Sequence, residues 1–419
     1  MSLSRPFVKI SEQAVAALIE AARDKRPVGG YTHSFYRYPA RFSPLFVRAV
    51  IETFTRPGDL VLDNHVGGGT TLVEALALGR HAVGVDISAL AEFVTTVKTT
   101  LYEESELDCL EAWAKRLPAA VNLRKWSINF SDYEAGGYYK HLGHPLRWRL
   151  RKAIEQALGS AIYLGSESLQ SFGRCVVLRT AQWALDGRSQ LPSIPEFREN
   201  LSRNAMAMVA GARSLRVAVM RRGISPTIRV MNRSAAGLES DIRMADLPAP
   251  RLVITSPPYP GVHVLYHRWQ VDGRKEAPAP FWIAGRLDGA GGSYYTMGDR
   301  KYPELRTYFD NIRATMSSIA AMADRRTTIV QMVAFSEPSW QLGRYLETME
   351  EAGLRELCLS SLSEERDGRL WRSVPSRRWY SDQRGETPAS QEVVLFHRKA
   401  DNAPRRPLPR LPTEVRQCR

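Results

Sequence analysis

Four consecutive residues near the middle of the chain, Ser256, Pro257, Pro258 and Tyr259, combine groups that could hold a planar base. They follow an apolar run at 252–254, which predicts a short buried strand that ends here. The two prolines fix φ and lack backbone N–H donors, so the carbonyls of this segment face outward without a local donor. The Ser256 hydroxyl and the Pro257 carbonyl could accept hydrogen bonds from an exocyclic amine, and the Tyr259 ring could stack on the base. A Pro-rich turn after a core strand is the alternative interpretation.

A glycine-rich loop earlier in the chain has the order of elements that a nucleotide-type ligand requires. Residues 59–63 predict a strand, the glycines 67–69 follow, and Thr70 begins a predicted helix. Glycines permit positive φ and close approach of the backbone, and the free N–H groups of a helix N-terminus favour an anion. A second predicted strand, 81–86, ends in Asp86, whose carboxylate could accept both hydroxyls of a ribose. No Gly-Lys-Ser/Thr follows the loop, so a phosphate-binding loop is less favoured.

Both stretches resemble the DNA amino-methyltransferases, which transfer a methyl group from S-adenosylmethionine to N4 of cytosine or N6 of adenine. Residues 256–259 match the Ser-Pro-Pro-Tyr motif of that family, and residues 63–71 resemble its Asp-Pro-Phe-x-Gly-Ser-Gly-Thr-Thr motif. Asn64 and His65 stand at the Pro and Phe positions of the second motif, and Gly68 stands where Ser is common. We interpret His65 as a packing ring that replaces Phe rather than as a catalytic base.

The resemblance implies a fold and a set of site residues. The fold is expected to be α/β, a Rossmann-like doubly wound sheet of the class I methyltransferase type with a large helical insertion. No metal is expected. The implied catalytic residues are Ser256, Pro257, Pro258 and Tyr259. The residues implied to bind S-adenosylmethionine are Tyr38, Pro39, Ala40, Phe42, Asp63, Gly67, Gly69, Thr70 and Asp86.

Two parts of this implied cofactor site are open to more than one interpretation. The aromatic segment 31–44 is similar to the family's segment that closes over the methionine end of the cofactor, whereas an aromatic loop packed under a helix is the alternative. In the family an acidic residue usually follows the strand predicted here at 227–230 and holds the adenine. The nearest acid in this chain, Asp241, comes later than expected. Asn232 is the candidate replacement.

The expected chemistry is direct methyl transfer to the amine of a base flipped out of double-stranded DNA. The amine is conjugated with its ring, so Ser256 and the Pro257 carbonyl would draw its hydrogens out of conjugation while Tyr259 holds the base. Ser256 is too weak a base to take the proton early, and the proton therefore leaves after transfer. Because Ser at the first motif position resembles the N4-cytosine enzymes more often, we favour N4 of cytosine over N6 of adenine.

Two other classes of function share some of these features. An RNA or protein methyltransferase with a similar core would have the same cofactor loop. A non-catalytic nucleic-acid-binding protein with a decayed methylase core would account for Asn64, His65 and the late Asp241. The intact Ser-Pro-Pro-Tyr motif argues against this second class. The sequence leaves open a cognate restriction or phage-defence partner and the oligomeric state.

Composition favours a soluble, intracellular protein with a polyanionic partner. The 419 residues include 58 Lys plus Arg against 44 Asp plus Glu, a formal net charge of +14, and such a charge attracts nucleic acid or an acidic membrane surface. There is no apolar run of about 18 residues and no apolar signal-peptide core at the N-terminus. We therefore expect a cytoplasmic protein with no membrane partner. The four cysteines lie far apart, so neither a zinc site nor a disulfide framework is expected.

We predict four parts along the chain. These are an N-terminal helix at 1–30, a methyltransferase core at 31–100 and 226–399, a helical insertion at 101–225, and a disordered basic tail at 400–419.

The insertion is the first candidate for target recognition. Its sequence predicts helix breaks at Pro118, at the glycines 136–137 and at 192–195. Cationic runs at 147–152 and 213–222 suit contact with a DNA backbone, although a solvated helix face explains such runs more often. Outside the insertion, the Arg-rich segment 365–386 is predicted to form a hairpin-like excursion that could enter a groove.

Overall fold

The computed structural model describes residues 6–38, 42–143, 145, 147–261, 268–271, 275–289, 295–298, 304–359, 368–373 and 391–401. The α-helices are α1 Glu12–Arg23, α2 Pro44–Phe54, α3 Thr70–Ala77, α4 Ala89–Thr99, α5 Glu104–Ala120, α6 Ser131–Ala135, α7 Trp148–Ile162, α8 Glu167–Leu185, α9 Ile194–Met220, α10 Ala279–Ala284, α11 Arg306–Met322 and α12 Pro338–Glu351. The strands are β1 Leu60–Asp63, β2 His81–Asp86, β3 Ile228–Asn232, β4 Leu252–Thr255, β5 Trp269–Val271, β6 Lys275–Ala277, β7 Thr328–Ala334, β8 Leu354–Leu357, β9 Leu370–Ser373 and β10 Gln391–Lys399.

The chain divides into two compact units. We name residues 20–233 and 264–295 the glycine-loop unit, because it contains the glycines 67–69. Residues 1–19, 234–263 and 296–419 form the Ser-Pro-Pro-Tyr unit. Each predicted half of the active site therefore lies within one unit.

The glycine-loop unit is built on three parallel strands. β2 pairs with β1 on one side and with β3 on the other. Every residue of β1 is buried, as is usual for a parallel strand covered on both faces. Because parallel strands run in one direction, Asp63 and Asp86 lie at the carboxyl-terminal edge of this sheet, where open α/β sheets bind ligands.

Helices α5 to α9 form the insertion between α4 and β3. α5 packs against α9, and α8 packs against both α7 and α9. The sequence did not predict α8, because this helix is surrounded by others and lacks the one-sided apolar stripe by which amphipathic helices are recognised. Its buried residues are Leu169, Phe172, Gly173, Cys175, Val176, Val177, Leu178, Thr180, Ala181, Gln182, Ala184 and Leu185.

Of the three predicted helix breaks in the insertion, the one at Pro118 is wrong, whereas α6 ends at Ala135, just before the glycines at 136–137. Pro118 lies inside α5, where it cannot donate to the carbonyl of Ala114. The Ser202 hydroxyl from α9 donates to that carbonyl instead, at 3.2 Å, so the missing N–H leaves no unsatisfied acceptor. Residues 192–193 lie in a break between α8 and α9, as predicted, whereas Pro195 occupies the first turn of α9, where no intrahelical N–H bond is lost.

The Ser-Pro-Pro-Tyr unit combines parallel and antiparallel strands. β4 and β7 are parallel, whereas β10 runs antiparallel to β7, β8 and β9. α12 packs against α11 and β8. Parallel strands joined by helices, with one reversed strand, make the protein α/β and Rossmann-like, as the sequence predicts. In the part of the chain that the structure describes, no helix is both long and apolar enough to span a membrane.

The Arg-rich segment predicted at 365–386 is described only at 368–373. Its two described arginines are paired with carboxylates of the same unit, and entry of the segment into a groove stays a prediction. Arg369 donates to both carboxylate oxygens of Glu356, at 2.6 and 2.8 Å. Arg372 donates to Glu392 at 2.8 Å. Residues 374–386 lie outside the described part of the chain.

Candidate active site

β1 leads directly into a tight glycine turn. Gly67 has a φ of 47° and Gly69 a φ of 75°, a region that side-chain-bearing residues rarely adopt. The N–H of Gly69 donates to the carbonyl of Val66 at 2.8 Å. Thr70 then begins α3, with Gly69 as its N-cap. The first N–H groups of α3 have no intrahelical acceptor, so the turn presents donors and a positive helix end at the sheet edge.

Asp86 holds this turn in place and keeps acceptor capacity. Its Oδ2 accepts from the N–H of Gly67, and its Oδ1 accepts from the N–H of Ser88, both at 2.9 Å. Burial raises the pKa of Asp86, and these backbone donors oppose the shift. The backbone N–H of Ile87 is a third donor to this carboxylate, and with about four lone-pair sites the carboxylate retains acceptor capacity for a ribose hydroxyl. Asp86 thus supports the loop and can bind the sugar with the same carboxylate.

Side chains pack so closely against the turn that only glycine fits. A Cβ on Gly68 would lie 2.8 Å from Cβ of Tyr38, and a Cβ on Gly69 would lie 2.8 Å from Oγ1 of Thr95. Tyr38 therefore gives a physical reason for glycine at the position where the family commonly has serine. Because the glycines of the turn carry no side chains, a ligand can approach the backbone of the turn closely.

Lys98 is a residue of this site that sequence reasoning missed. It is 1% exposed, and its ammonium donates to the Gly68 carbonyl at 2.6 Å. Thr95, one turn earlier on α4, donates to the Gly67 carbonyl at 3.3 Å. The signal in the sequence was a lysine on the otherwise apolar buried face of α4. Two side chains of α4, Thr95 and Lys98, thus fix the turn by donating to its carbonyls.

Asp63, Asn64 and His65 form a local network at the end of β1. The carboxylate of Asp63, which is 1% exposed, accepts from the N–H of His65 at 3.1 Å. The amide of Asn64 lies 3.2 Å from Nδ1 of His65. Burial lowers the pKa of His65 to about 3, so the imidazole is neutral near pH 7 and a weak base. This favours the packing role over a catalytic one.

The aromatic segment before α2 is only partly described. Tyr38 is half-buried beside the glycine turn. Phe42 is 8% exposed and packs on Phe46 of α2, with ring centroids 6.3 Å apart. Pro39 and Ala40, which the resemblance implies for cofactor binding, lie outside the described residues. The contact of Phe42 with α2 fits the alternative of a packed aromatic loop, so a cofactor role for Phe42 stays a prediction.

Asn232 and Asp241 differ in what their side chains bind. Asn232 ends β3, is exposed, and donates to the backbone carbonyl of Asp86 at 3.1 Å. The carboxylate of Asp241 accepts from the side chain and the backbone N–H of Arg243. Asp241 therefore serves as a local cap, whereas Asn232 lies beside the predicted ribose-binding carboxylate. This agrees with the interpretation of Asn232 as the replacement adenine contact, which stays a prediction.

The Ser-Pro-Pro-Tyr residues follow β4 and are tied to β10. Tyr259 is 7% exposed, and its hydroxyl donates to Oε1 of Glu392 at 2.7 Å. The Ser256 hydroxyl lies 3.1 Å from the Tyr259 hydroxyl. Oε2 of Glu392 accepts from Nε of Arg372 at 2.8 Å. Neither Glu392 nor Arg372 was predicted for the site, because each lies more than 100 residues along the chain.

The two proline carbonyls of this motif are not equivalent. The hydroxyl of Tyr308, on α11, donates to the carbonyl of Pro258 at 2.7 Å. Burial raises the pKa of Tyr308 well above its ordinary range, so this hydroxyl stays protonated. No donor to the Pro257 carbonyl is found among the residues that the structure describes. The structure thus fixes one carbonyl and leaves available the one predicted to bind the amine.

Comparison with known proteins identifies the first half-site. Residues 20–96 match the family model of the N6/N4 DNA methylases. Over 77 residues the chain is 30% identical to the type II methyltransferase M.MjaII of Methanocaldococcus jannaschii. Over 79 residues it is 35% identical to the type II methyltransferase M.MvaI of Kocuria varians. The resemblance to the DNA amino-methyltransferases is confirmed for this segment.

The match covers a limited part of each protein. It spans 18% of this chain and 14% of M.MjaII, and 18% of this chain and 17% of M.MvaI. The DNA methylase match together with the fold supports S-adenosylmethionine as the cofactor, and the bare glycine turn and the carboxylate of Asp86 fit it. Among solved structures, the rRNA methyltransferase AviRa of Streptomyces viridochromogenes aligns over 93% of both chains with 9% identity and a TM-score of 0.27.

Most cations that the sequence suggested for DNA contact have partners within the glycine-loop unit. Arg213 bridges three carboxylates of α5, and Arg216 pairs with Glu103 at 2.8 Å. Lys152 donates to the carbonyl of Leu123 at 2.9 Å. These side chains bind groups within the protein, which favours a structural role for Lys152, Arg213 and Arg216.

A cleft of about 750 Å³ where α9 begins presents Arg149, from the run at 147–152, together with arginines outside both runs. Its lining includes Arg124, Arg149 and Arg198. The side chains of Arg124 and Arg149 are exposed, and neither has a carboxylate partner among the described residues. Arg198 is fixed through a hydrogen bond from Nε to a backbone carbonyl at 2.7 Å. Trp148 beside Arg149 is 41% exposed, and Trp126 near Arg124 is 79% exposed.

Proposed function

We propose that this protein is a site-specific DNA methyltransferase that transfers a methyl group from S-adenosylmethionine to the exocyclic amine of a flipped base. What supports the proposal is the presence, in one chain, of a DNA methylase cofactor loop and a Ser-Pro-Pro-Tyr motif with an unoccupied acceptor. The residues proposed to hold the cofactor are Tyr38, Pro39, Ala40, Phe42, Asp63, Gly67, Gly69, Thr70 and Asp86.

The Ser-Pro-Pro-Tyr residues prepare the amine for attack. Ser256 Oγ and the Pro257 carbonyl accept its two N–H groups, which frees the nitrogen lone pair from conjugation with the ring. Tyr259 supports the flipped base. When bound, the cofactor supplies a methyl group on a sulfonium sulfur, which takes the electrons of the broken C–S bond. The nitrogen lone pair forms the new C–N bond, and the surplus proton leaves to solvent.

N4 of cytosine is the proposed target, with N6 of adenine as the alternative. The preference rests on serine at position 256, since both targets present an equivalent amine to the two acceptors. The relatives are named type II methyltransferases, and a role beside a restriction or defence component in the cytoplasm belongs to the same proposal.

The test is to incubate the protein with tritiated S-adenosylmethionine and unmethylated genomic DNA, then digest the DNA to nucleosides. Label in N4-methylcytosine supports the proposal, and label in N6-methyladenine supports its alternative. Parallel incubations with RNA and with protein substrates address the other methyltransferase classes. Label in either of those alone would overturn the DNA proposal. Failure to bind the cofactor in calorimetry would instead favour a non-catalytic nucleic-acid-binding protein.

We also propose that the insertion binds the DNA backbone through the cleft at the start of α9. Exposed guanidinium groups bind phosphates, and a helix N-terminus adds a favourable field. Glu196, the acid in the lining, accepts from the N–H of Ser193 in a capping box. The exposed Trp126 and Trp148 could contact bases or sugars. Cationic groups and aromatic rings on one surface are typical of nucleic-acid binding.

The cleft is tested by replacing Arg124 and Arg149 together with glutamine. We expect weaker DNA binding and a decrease of about 2 in the slope of log K against log salt, since each lost phosphate contact removes about one unit. Arg213→Gln is the matched control, because Arg213 lies in the same insertion but is ion-paired. An unchanged slope in the double variant, or an equal change in the control, would contradict the proposal.

A further inference from the structure

A chain of four side chains runs from the interior of the Ser-Pro-Pro-Tyr unit to its motif. Arg372 of β9 stands directly opposite Glu392 of β10 in the antiparallel register. Their side chains are 7% and 5% exposed and form an ion pair at 2.8 Å. Glu392 then accepts from Tyr259, which lies 3.1 Å from the Ser256 hydroxyl. We name these residues the Glu392 chain.

The direction of each hydrogen bond in the Glu392 chain follows from the chemistry of its members. An ionised carboxylate only accepts, and a guanidinium only donates. The Tyr259 hydroxyl must therefore give its hydrogen to Glu392, which leaves its oxygen as an acceptor. Ser256 then donates its hydrogen to Tyr259. The lone pairs of Ser256 Oγ are the groups that remain for a further partner.

The burial of Glu392 stabilises this direction of the hydrogen bonds. A buried carboxylate is costly without a partner, and Glu392 is satisfied by the guanidinium on one oxygen and by a hydroxyl on the other. Hydrogen bonds to a charged group are also stronger than those between neutral groups. A reversed direction would require Tyr259 to face the carboxylate with its oxygen alone, which would be repulsive.

We propose that Glu392, held by Arg372, is a positioning residue that fixes Ser256 as a hydrogen-bond acceptor for the target amine. This inference rests on the proposed methyltransferase function. An acceptor at Ser256 binds an amine N–H, whereas a hydroxyl free to rotate would also donate toward the nitrogen lone pair and hold it back from attack. Glu392 acts through Tyr259 and does not touch the substrate.

Glu392→Gln tests the proposal with little change in shape. The carbonyl of the new amide would face Arg372, so its NH₂ would face Tyr259 and reverse the direction of the chain. We expect the single-turnover rate of methyl transfer to fall by about 10- to 100-fold. The affinity for S-adenosylmethionine and the KM for DNA should remain unchanged, because the ring of Tyr259 and the cofactor loop are intact.

Glu356→Gln is the matched control for the loss of a buried ion pair. Glu356 pairs with Arg369 at 2.6 Å, with side chains 11% and 12% exposed, and it also faces β10. A purely structural role predicts equal losses in the two variants. The positioning role predicts a slower transfer step in Glu392→Gln alone, at equal fractions of folded protein. Equal losses, or a normal rate in Glu392→Gln, would overturn the inference.

Tyr259→Phe provides a second route if Glu392→Gln does not fold. It removes the hydroxyl and keeps the ring and the ion pair, so we expect a similar loss in rate. If Glu392→Gln does fold, the losses in rate should not add in the double variant Glu392→Gln/Tyr259→Phe, because both changes interrupt the same chain of hydrogen bonds. Additive losses would refute the inference. Wild-type protein is measured in the same assay. Absence of transfer to DNA by the wild type overturns the proposed function and this inference together, whereas normal Glu392→Gln overturns the inference alone.

Discussion

The glycine turn and the Ser-Pro-Pro-Tyr motif place their polar groups by different means. In the turn, the groups proposed to meet the cofactor are backbone N–H groups, and the turn that presents them depends on positive φ at Gly67 and Gly69. In the motif, the acceptor is a side chain whose orientation comes from Glu392, 133 residues beyond Tyr259. The first arrangement is local in sequence, and the second is assembled by the fold.

This difference predicts different consequences of mutation. A change in the turn should weaken cofactor binding, because the backbone itself forms the surface. A change in the motif or its support should slow transfer and spare the cofactor. Variants that separate cofactor affinity from transfer rate therefore test whether the two regions divide the work in this way.

The largest effect is expected for Ser256→Ala. Without the acceptor the amine stays conjugated, and transfer should fall by at least about 100-fold, as for loss of a group that binds the reacting atoms. Calorimetry should show unchanged affinity for S-adenosylmethionine. Ser240→Ala is the control, since Ser240 is an exposed serine of the same unit. Normal turnover in Ser256→Ala would refute the assigned role.

Asp86→Ala should give the opposite pattern. It removes the carboxylate proposed to accept from the ribose and the anchor of the Gly67 N–H, so cofactor affinity should fall by about 10- to 100-fold, at 1 to 1.5 kcal/mol for each hydrogen bond. Transfer at saturating cofactor should change much less. Asp59→Ala, at the amino-terminal end of β1, is the control. Equal loss of cofactor affinity in Asp86→Ala and Asp59→Ala would contradict the role assigned to Asp86.

The local elements were predictable because their signals lie within short windows. The strand predicted at 59–63 is β1, Leu60–Asp63, and the one predicted at 81–86 is β2, His81–Asp86. A short apolar run predicts a buried strand, and consecutive glycines predict a tight turn, from neighbouring residues alone. The position of Asp86 beside the turn followed from the same pattern.

Other features depended on contacts that no window contains. Arg372 lies in the segment predicted as a hairpin-like excursion, and only the pairing of β9 with β10 makes Arg372 and Glu392 a buried ion pair. Pro118 fits inside α5 because Ser202 of a different helix satisfies the exposed carbonyl. In each case the partner that determines the structural role of a residue is distant in sequence.

Gly69→Ala should produce a smaller loss that sharpens the argument about the turn. The new Cβ meets Thr95 at 2.8 Å and carries the strain of a φ of 75°. We expect about 10-fold weaker cofactor binding and lower thermal stability, with a strain of about 1–2 kcal/mol. Gly58→Ala is the matched control, because its φ is 87° but no atom lies within 4 Å. Partial rescue by Thr95→Ala would assign the excess loss to the clash, and equal losses in the two glycine variants would contradict it.

His65→Phe should have the smallest effect on activity, within about two-fold of wild type, because a ring of similar volume fills the same space. Its effect on stability depends on pH. The folded protein lowers the pKa of His65 from 6.5 to about 3, so below pH 6.5 the unfolded chain takes up a proton that the folded chain refuses. Stability from this residue is complete above pH 6.5 and is lost as the pH falls toward 3. The melting temperature of His65→Phe should therefore fall less steeply than that of wild type over this range. Loss of methyl transfer in His65→Phe would instead assign the imidazole a role in the reaction. The turn region would then act through a side chain as well as through its backbone.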